Sequence, residues 1–376
     1  MNQTSPLKNV AIVHDFLVQE GGAERVLESL ARLFPNAPIY TLIFDKKRFQ
    51  KKFEGHEIIP SALNKLPGSA RSYQWYLPFM PGAIESFNLS RYDLVISSSS
   101  AFAKGILTQP NMLSVCYCHT PTRYLWTDTH AYVRDLKIPY VVKKLLPFTL
   151  TKLRAWDYLS AQRPTAFIAN SENVRKRIKK YYGRDSTVIY PPVMVDEFKK
   201  IENGGGDYFL AGGRLVAYKR FDIVVKAFNK LGIPLKIFGE GPLYKDLKSL
   251  SKKKIEFLGW VEKKNLSSLY SGARAFLNPQ EEDFGITMVE AMAAGTPVIA
   301  YKAGGALEIV KPNVNGVFFD EQTWEALADT VVRFKREDFT SEVVSESARI
   351  FSEENFASSL TSFLTALSEN HAKNSG

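Results

Sequence analysis

Two glutamates eight residues apart, Glu282 and Glu290, stand in the run EDFGITMVEAMAAGTPVIA. The stretch Ile286 to Ala294 reads as a helix with an apolar stripe of Ile286, Val289, Met292 and Ala293. Gly295 fits the residue just past a helix end, and Thr296-Pro297 leads into the apolar strand Val298-Ile299-Ala300. Glu282 is therefore placed in the loop before the helix, and Glu290 about one turn inside it. The unpaired amides from Gly285 to Thr287, at the positive end of the helix dipole, suit an anion. A carboxylate on each side suits a polyhydroxylated ligand, because an ionised acid accepts two hydroxyls at once. Phosphate in the middle with a sugar at either end describes a nucleotide sugar. Taken alone, the pair is more readily a capping carboxylate and a solvated helix glutamate.

Three further loops carry residues of the same chemistry. Gly212-Gly213-Arg214 to Lys219-Arg220-Phe221-Asp222 follows a strand, and its glycines let backbone approach a ligand closely. Arg214 and Lys219 bring two cations there, as a diphosphate leaving group requires; on bare chemistry the stretch also reads as a solvated loop. Asp222 reads as a cap or ion-pair partner. Gly21-Gly22-Ala23-Glu24-Arg25 forms a tight turn between the first strand and helix, but G-x-G-x-x-G is absent and no acid follows at the spacing of a dinucleotide fold. His119 stands at the carboxyl end of a strand and enters the loop Thr120-Pro121-Thr122-Arg123-Tyr124-Leu125-Trp126.

With these residues in view, E-x7-E followed by A-M-A-x-G-x-P-V resembles the donor-site signature of family 4 of the retaining glycosyltransferases. G-R-L-x-x-x-K-x-x-D resembles the phosphate-binding motif of that family, and C-H-T-P-x-R-Y-x-W resembles its subgroup of bacterial mannosyltransferases of surface-polysaccharide assembly. The resemblance implies that Glu282 binds donor sugar hydroxyls and Glu290 the ribose. It implies that Arg214 and Lys219 hold the diphosphate, that Gly22 lies near the phosphates and that His119 lies beside the donor sugar. Phe284, Gly285, Ile286 and Thr287 complete the implied donor site, and Glu24, Arg123, Tyr124 and Trp126 are its acceptor-side candidates. Gly239-Glu240-Gly241-Pro242, Phe257 to Val261 and Ala303-Gly304-Gly305 match supporting loops of the family. The implied fold is GT-B, α/β with two Rossmann-like doubly wound domains facing across a cleft. The implied reaction is a metal-independent transfer with retention by front-face attack. GDP-mannose is the expected donor and a UDP-sugar the runner-up. No D-x-D is present to serve as a metal site, and no cofactor is expected.

The elements that must position these residues alternate. Strands are expected at Val10 to Val13, Ile39 to Ile43, Leu94 to Ser98, Leu113 to Tyr117, Ala166 to Ala169 and Thr187 to Ile189, with helices between several of them. A second alternation runs from Tyr208 to Tyr301, and Lys199 to Asp207, with three consecutive glycines, is the expected linker. The expected domains are 1–198 on the acceptor side, 199–350 for the nucleotide sugar, and 351–376 as a terminal helix. That helix either crosses back to the first domain or packs on its own.

At 376 residues, 45% hydrophobic and 23% charged, the composition is that of a globular chain of two domains. No apolar run is long enough to span a bilayer, and the start MNQTSPLKN lacks a signal-peptide core, with the apolar run from Val10 ending at His14-Asp15. A cytoplasmic location is expected. Cys116 and Cys118 share one face of a strand, where a bridge between residues two apart would be strained, so buried reduced thiols are expected. Residues 1–200 hold 28 Lys and Arg against 16 Asp and Glu, a balance of +12; residues 201–376 hold 21 against 23, a balance of −2. Basic and aromatic residues interleave from Lys65 to Phe79 and from Val133 to Trp156, the latter with Lys143-Lys144. This pattern suits reversible docking on the anionic inner face of the cytoplasmic membrane, beside a polyprenyl-diphosphate-linked saccharide acceptor. Ordinary surface is the competing reading. Single-stranded nucleic acid fits the charge but leaves the donor motifs unexplained, so no nucleic-acid partner is expected. A catalytically silent nucleotide-sugar-binding protein also stays open.

Overall fold

The computed structural model describes residues 9–127, 129–135, 140–198 and 206–375. The chain divides into two compact units, Met1–Pro191 with Phe356–Gly376, and Pro192–Asn355. The expected boundaries lay a few residues later in the chain at the first junction and earlier at the second. The expected glycine-rich linker falls largely on residues 199–205, outside the described residues, as do residues 136–139 of the second basic aromatic segment.

The first unit is built on β1 (Val10–Leu17), β2 (Ile39–Phe44), β3 (Ile58–Pro60), β4 (Leu94–Ser99), β5 (Leu113–Cys118), β6 (Ala166–Ala169) and β7 (Thr187–Val188). They form one sheet in the order β3-β2-β1-β4-β5-β6-β7, every pair parallel. Helices cover both faces, so the inner strands β1, β2, β4, β5 and β6 are largely continuous buried runs instead of alternating ones, while the edge strands β3 and β7 are only partly buried. Its helices include α1 (Gly22–Leu33), α2 (Tyr140–Ser160) and α3 (Glu172–Tyr182).

The sequence reading ended the first strand at Val13; the strand runs on to Leu17. His14 and Asp15, which look like a polar stop, are 2% and 3% exposed. They are tolerated because they are satisfied. Asp15 accepts four backbone amides, from Ser100, Ala101, Phe102 and Ala103, at 2.5 to 2.9 Å. A buried carboxylate so paired escapes the cost of a lone charge and ties β1 to the loop after β4.

The second unit holds β8 (Tyr208–Gly212), β9 (Leu235–Phe238), β10 (Ile255–Gly259), β11 (Ala273–Asn278), β12 (Val298–Tyr301) and β13 (Gly316–Phe319), all parallel in the order β10-β9-β8-β11-β12-β13. Two of its helices matter here, α4 (Phe221–Leu231) and α5 (Ile286–Ala293). In both sheets the strand order reverses beside the first strand, between β1 and β4 and between β8 and β11. Such switch points open a crevice at the carboxyl ends of the strands, where ligands bind.

Helix α5 ends as expected. Gly295 is left-handed (φ 78°), its amide reaches Met292 O, and the Thr296 amide reaches Ala291 O. The expected single apolar stripe is not what the helix shows. Met288 to Ala293 are all buried, Glu290 included, because the helix packs between neighbours on every side.

The last helix, α6 (Glu353–Ser375), belongs from Phe356 onward to the first unit. Phe356, Leu360 and Leu364 join a core with Ile12, Val26, Leu94 and Tyr117. The Phe356 ring meets that of Tyr117 edge-on at 5.8 Å.

Candidate functional site

In the second unit the site is made by two loops leaving adjacent strands. β8 ends at Gly212, and the chain passes through Gly213 to exposed Arg214 and a tight turn carrying Lys219. β11 ends at Asn278, and Pro279-Gln280-Glu281-Glu282 leads toward α5. The switch point brings the two loops together. Lys219 Nζ lies 2.7 Å from Glu282 Oε1, with the side chains 13% and 15% exposed. Gln280 Nε2 donates to the same oxygen at 2.9 Å.

The Glu282 backbone is held as firmly. It bridges to Gly304, and its carbonyl accepts the Gly305 amide at 2.8 Å. Gly304 is left-handed (φ 59°), and a Cβ there would stand 2.3 Å from Glu282 O. The A-G-G turn after β12 is thus a backbone clamp on the loop of Glu282.

Glu290 is 1% exposed and accepts the Tyr270 hydroxyl at 3.0 Å. It is a fixed acceptor inside the unit and not a solvated helix glutamate. Phe284 is buried and meets Phe351 edge-on at 5.3 Å, so what it can offer a ligand is backbone. Gly285 precedes α5 at φ 114°, and Ile286 and Thr287 are half-buried in its first turn. Arg220 is left-handed and engaged with Asp222 and Gln322, which makes Asp222 an ion-pair partner.

In the first unit the candidates gather beside the other switch point. Gly22 opens α1 and Glu24 lies buried in its first turn. His119 follows β5 and is buried. Its amide donates to Ser99 O at 2.8 Å, and its carbonyl accepts from Asn170 Nδ2 at 2.9 Å. Its Nε2 lies 2.8 Å from Ser98 Oγ, which lies 3.1 Å from His14 Nδ1; His14 Nε2 is 3.6 Å from Glu24 Oε1. Burial first, and then the neighbouring His14, push the His119 pKa down to about 3. The ring is therefore neutral near pH 7 and can accept or donate a hydrogen bond without carrying charge.

Sequence reasoning selected His119 and Glu24 but missed His14 and Ser98. The signal that links them is strand register, which only the folded sheet displays. His14 and Ser98 are partners across β1 and β4, and Ser98 pairs with Tyr117, two residues before His119. Side chains at that spacing share a face.

Arg123 and Tyr124 are half-buried on the short helix Arg123–Trp126. Trp126 stacks on Tyr181 at 5.1 Å and donates its indole N–H to Asp157 at 2.7 Å. Buried Asp157 on α2 also accepts from Lys104 Nζ (2.6 Å), Thr122 Oγ1 (2.7 Å) and the Tyr182 hydroxyl (2.9 Å). This hub fixes the loop after His119. Cys116 and Cys118 are free and buried, and burial pushes the Cys118 thiol up. Among the described residues no group of three or more His, Cys, Asp or Glu stands together to hold a metal ion.

Residues 20–197 match Glycosyltransferase Family 4, and residues 194–351 match Glycosyl transferases group 1. The chain belongs to the family 4 glycosyltransferases. An uncharacterized glycosyltransferase of Methanocaldococcus jannaschii is 35% identical to this glycosyltransferase over 126 residues, 31% of this chain and 32% of that one. A GDP-mannose-dependent alpha-(1-6)-phosphatidylinositol monomannoside mannosyltransferase of Mycobacterium tuberculosis is 29% identical over 192 residues, 43% of this chain and 50% of that one. The glycosyltransferase thus spans about a third of the length of the first of these curated relatives and half of the second. Its fold is shared with Anabaena HepE, crystallised with UDP and glucose, at a TM-score of 0.72 and 18% identity, covering 96% of this chain and 100% of that one. The fold is therefore GT-B, two Rossmann-like α/β domains.

Proposed function

We propose that this glycosyltransferase moves mannose from GDP-mannose to a saccharide acceptor, with retention and without a metal ion. The observation that carries the reading is the Lys219–Glu282 pair at the switch point of the second sheet. It sets a cation for phosphate beside a carboxylate for sugar hydroxyls. Arg214, on the same loop, adds charge for the departing diphosphate. That diphosphate takes the proton of the attacking acceptor hydroxyl as the glycosidic bond breaks, so no side chain serves as covalent nucleophile. Glu282 orients the sugar, Glu290 meets the ribose, and neutral His119 contributes a hydrogen bond near the sugar. Mannose and the guanine nucleotide rest on the C-H-T-P-x-R-Y-x-W stretch and on the name of the mycobacterial relative.

The acceptor is proposed to be a saccharide on polyprenyl diphosphate, reached from the cytoplasmic face of the membrane. Among the described residues no helix is long and apolar enough to cross a membrane. Trp75 and Phe79 in the first basic aromatic segment, and Phe148 in the second, are 58%, 63% and 71% exposed. Exposed rings among cations suit a headgroup region.

A donor panel followed by calorimetry and by release of nucleoside diphosphate tests the reading. GDP-mannose should bind and be turned over with excess EDTA present. Binding of UDP-sugars alone would move the donor to that class. Loss of turnover in EDTA, restored by magnesium or manganese, would overturn metal independence. Donor binding with neither hydrolysis nor transfer to any acceptor tried would favour a silent binding protein.

A further inference from the structure

Four buried polar side chains of the first unit form one chain, Glu24, His14, Ser98 and His119. The two inner members, His14 and Ser98, have no part assigned in transfer, and Glu24 is only an acceptor-side candidate. All three are expensive to bury unless they are satisfied and useful. Their geometry restricts what His119 can present.

Ser98 Oγ stands between two imidazole nitrogens, 3.1 Å from His14 Nδ1 and 2.8 Å from His119 Nε2. The hydroxyl has one proton. A buried O–H left without an acceptor is costly, so it donates to one ring and accepts N–H from the other. The two facing nitrogens are therefore in opposite states. At the far end Glu24 Oε1 lies 3.6 Å from His14 Nε2. In neutral His14 the proton is best placed on Nε2, toward the carboxylate, which leaves Nδ1 bare. Ser98 then donates to His14 Nδ1 and accepts from Nε2–H of His119. His119 is left with its proton on Nε2 and a bare Nδ1. Backbone bonds fix the main chain of His119 on both sides, and the Tyr117 ring packs 5.3 Å from its imidazole.

We propose that Ser98, His14 and Glu24 are positioning residues that fix His119 as the tautomer whose bare Nδ1 accepts a hydrogen bond from a carbohydrate hydroxyl. The inference deepens the proposed glycosyl transfer and rests on it for the identity of the hydroxyl, but not for the tautomer. Register places the chain in the sheet itself, so the polarity is set by the fold before substrate arrives.

The tautomer is read directly on the whole protein, labelled with ¹⁵N-histidine, by long-range ¹⁵N–¹H correlation near pH 7.5. His119 should show a protonated Nε2 and a bare Nδ1. A proton on Nδ1, or a tautomer mixture, overturns the proposal whatever the activity. Ser98→Ala should convert His119 to a mixture and lower kcat by about 10- to 100-fold, the usual scale for losing an orienting partner. The donor KM should stay within about threefold, since no donor contact is removed. Ser98→Thr keeps the hydroxyl and should restore tautomer and kcat together. A Ser98→Ala protein that keeps the wild-type tautomer and kcat overturns the proposal. If wild-type protein transfers no sugar from any donor while His119 shows the expected tautomer, the functional reading fails and the relay stands.

Discussion

Lys219 and Glu282 neutralise each other before any ligand arrives, since 2.7 Å separates them at a largely buried site. A nucleotide sugar would have to part them, phosphate taking the lysine and sugar hydroxyls the carboxylate. A nucleoside diphosphate alone offers only half of that exchange. Glu282→Gln should therefore tighten GDP binding, by up to about tenfold or about 1.4 kcal/mol, while transfer collapses. Calorimetry with GDP and with GDP-mannose checks it; equal weakening of both would refute the exchange. Lys219→Ala should lose roughly 2 to 4 kcal/mol of transition-state stabilisation, as when one charge-stabilising donor is removed. His119 makes a further prediction at this scale. Folded, it protonates at about 3, against about 6.5 in an unfolded chain. Between those values the unfolded state holds more protons, so the contribution to stability is full above pH 6.5 and is lost as pH falls toward 3. The slope is about 1.4 kcal/mol per pH unit within the window. Urea midpoints from pH 7 to 4 should fall less steeply in His119→Asn than in wild type.

The cap of α5 is where local geometry can be tested. Gly295 has φ 78°, and a Cβ there would stand 2.9 Å from Ser341 Cβ. Gly295→Ala should destabilise the second unit by about 1 to 2 kcal/mol, the cost of a left-handed residue with a Cβ, measured by chemical denaturation. That cap was readable in advance, since Gly-Thr-Pro after an apolar helix has one reading in backbone chemistry. So was β6, expected and found at Ala166–Ala169, because a short apolar run that follows a proline turn declares itself. What stayed hidden was polar burial. His14 and Asp15 looked like the end of β1, because their partners at Ser98 and at Ser100 to Ala103 lie more than eighty residues away. Glu290 looked like an ordinary helix glutamate, because its partner Tyr270 belongs to another element. The E-x7-E spacing placed Glu282 in the loop before a helix and Glu290 inside it, and that is where both stand. That Lys219 reaches across to Glu282 follows from β8 lying beside β11, a neighbour relation that no local pattern encodes.

Charge is a property of the whole chain. Residues 1–200 stand at +12 and residues 201–376 at −2, from 28 against 16 and 21 against 23 basic and acidic residues. An anionic bilayer should thus bind the first unit and ignore the second, each surface cation adding about 1 kcal/mol at low salt. Flotation with phosphatidylglycerol vesicles should carry the protein upward at low salt and leave it behind at high salt or with neutral lipid. Lys143→Glu with Lys144→Glu should weaken flotation and leave donor binding unchanged. No flotation at low salt would point to a soluble acceptor.

The helix that closes the first unit lies, in the chain, on the far side of the second. Phe356, Leu360 and Leu364 fill a core begun by Ile12 and Val26, with Pro192–Asn355 inserted between. During synthesis the second unit is therefore complete first, while the earlier-made unit waits with an open seam. At about 5 to 20 residues per second the wait for the insertion alone is roughly 8 to 30 seconds. In that interval the apolar wall that α6 will cover faces solvent or a chaperone, so holdase binding to ribosome-bound chains should peak before residues 356–375 emerge.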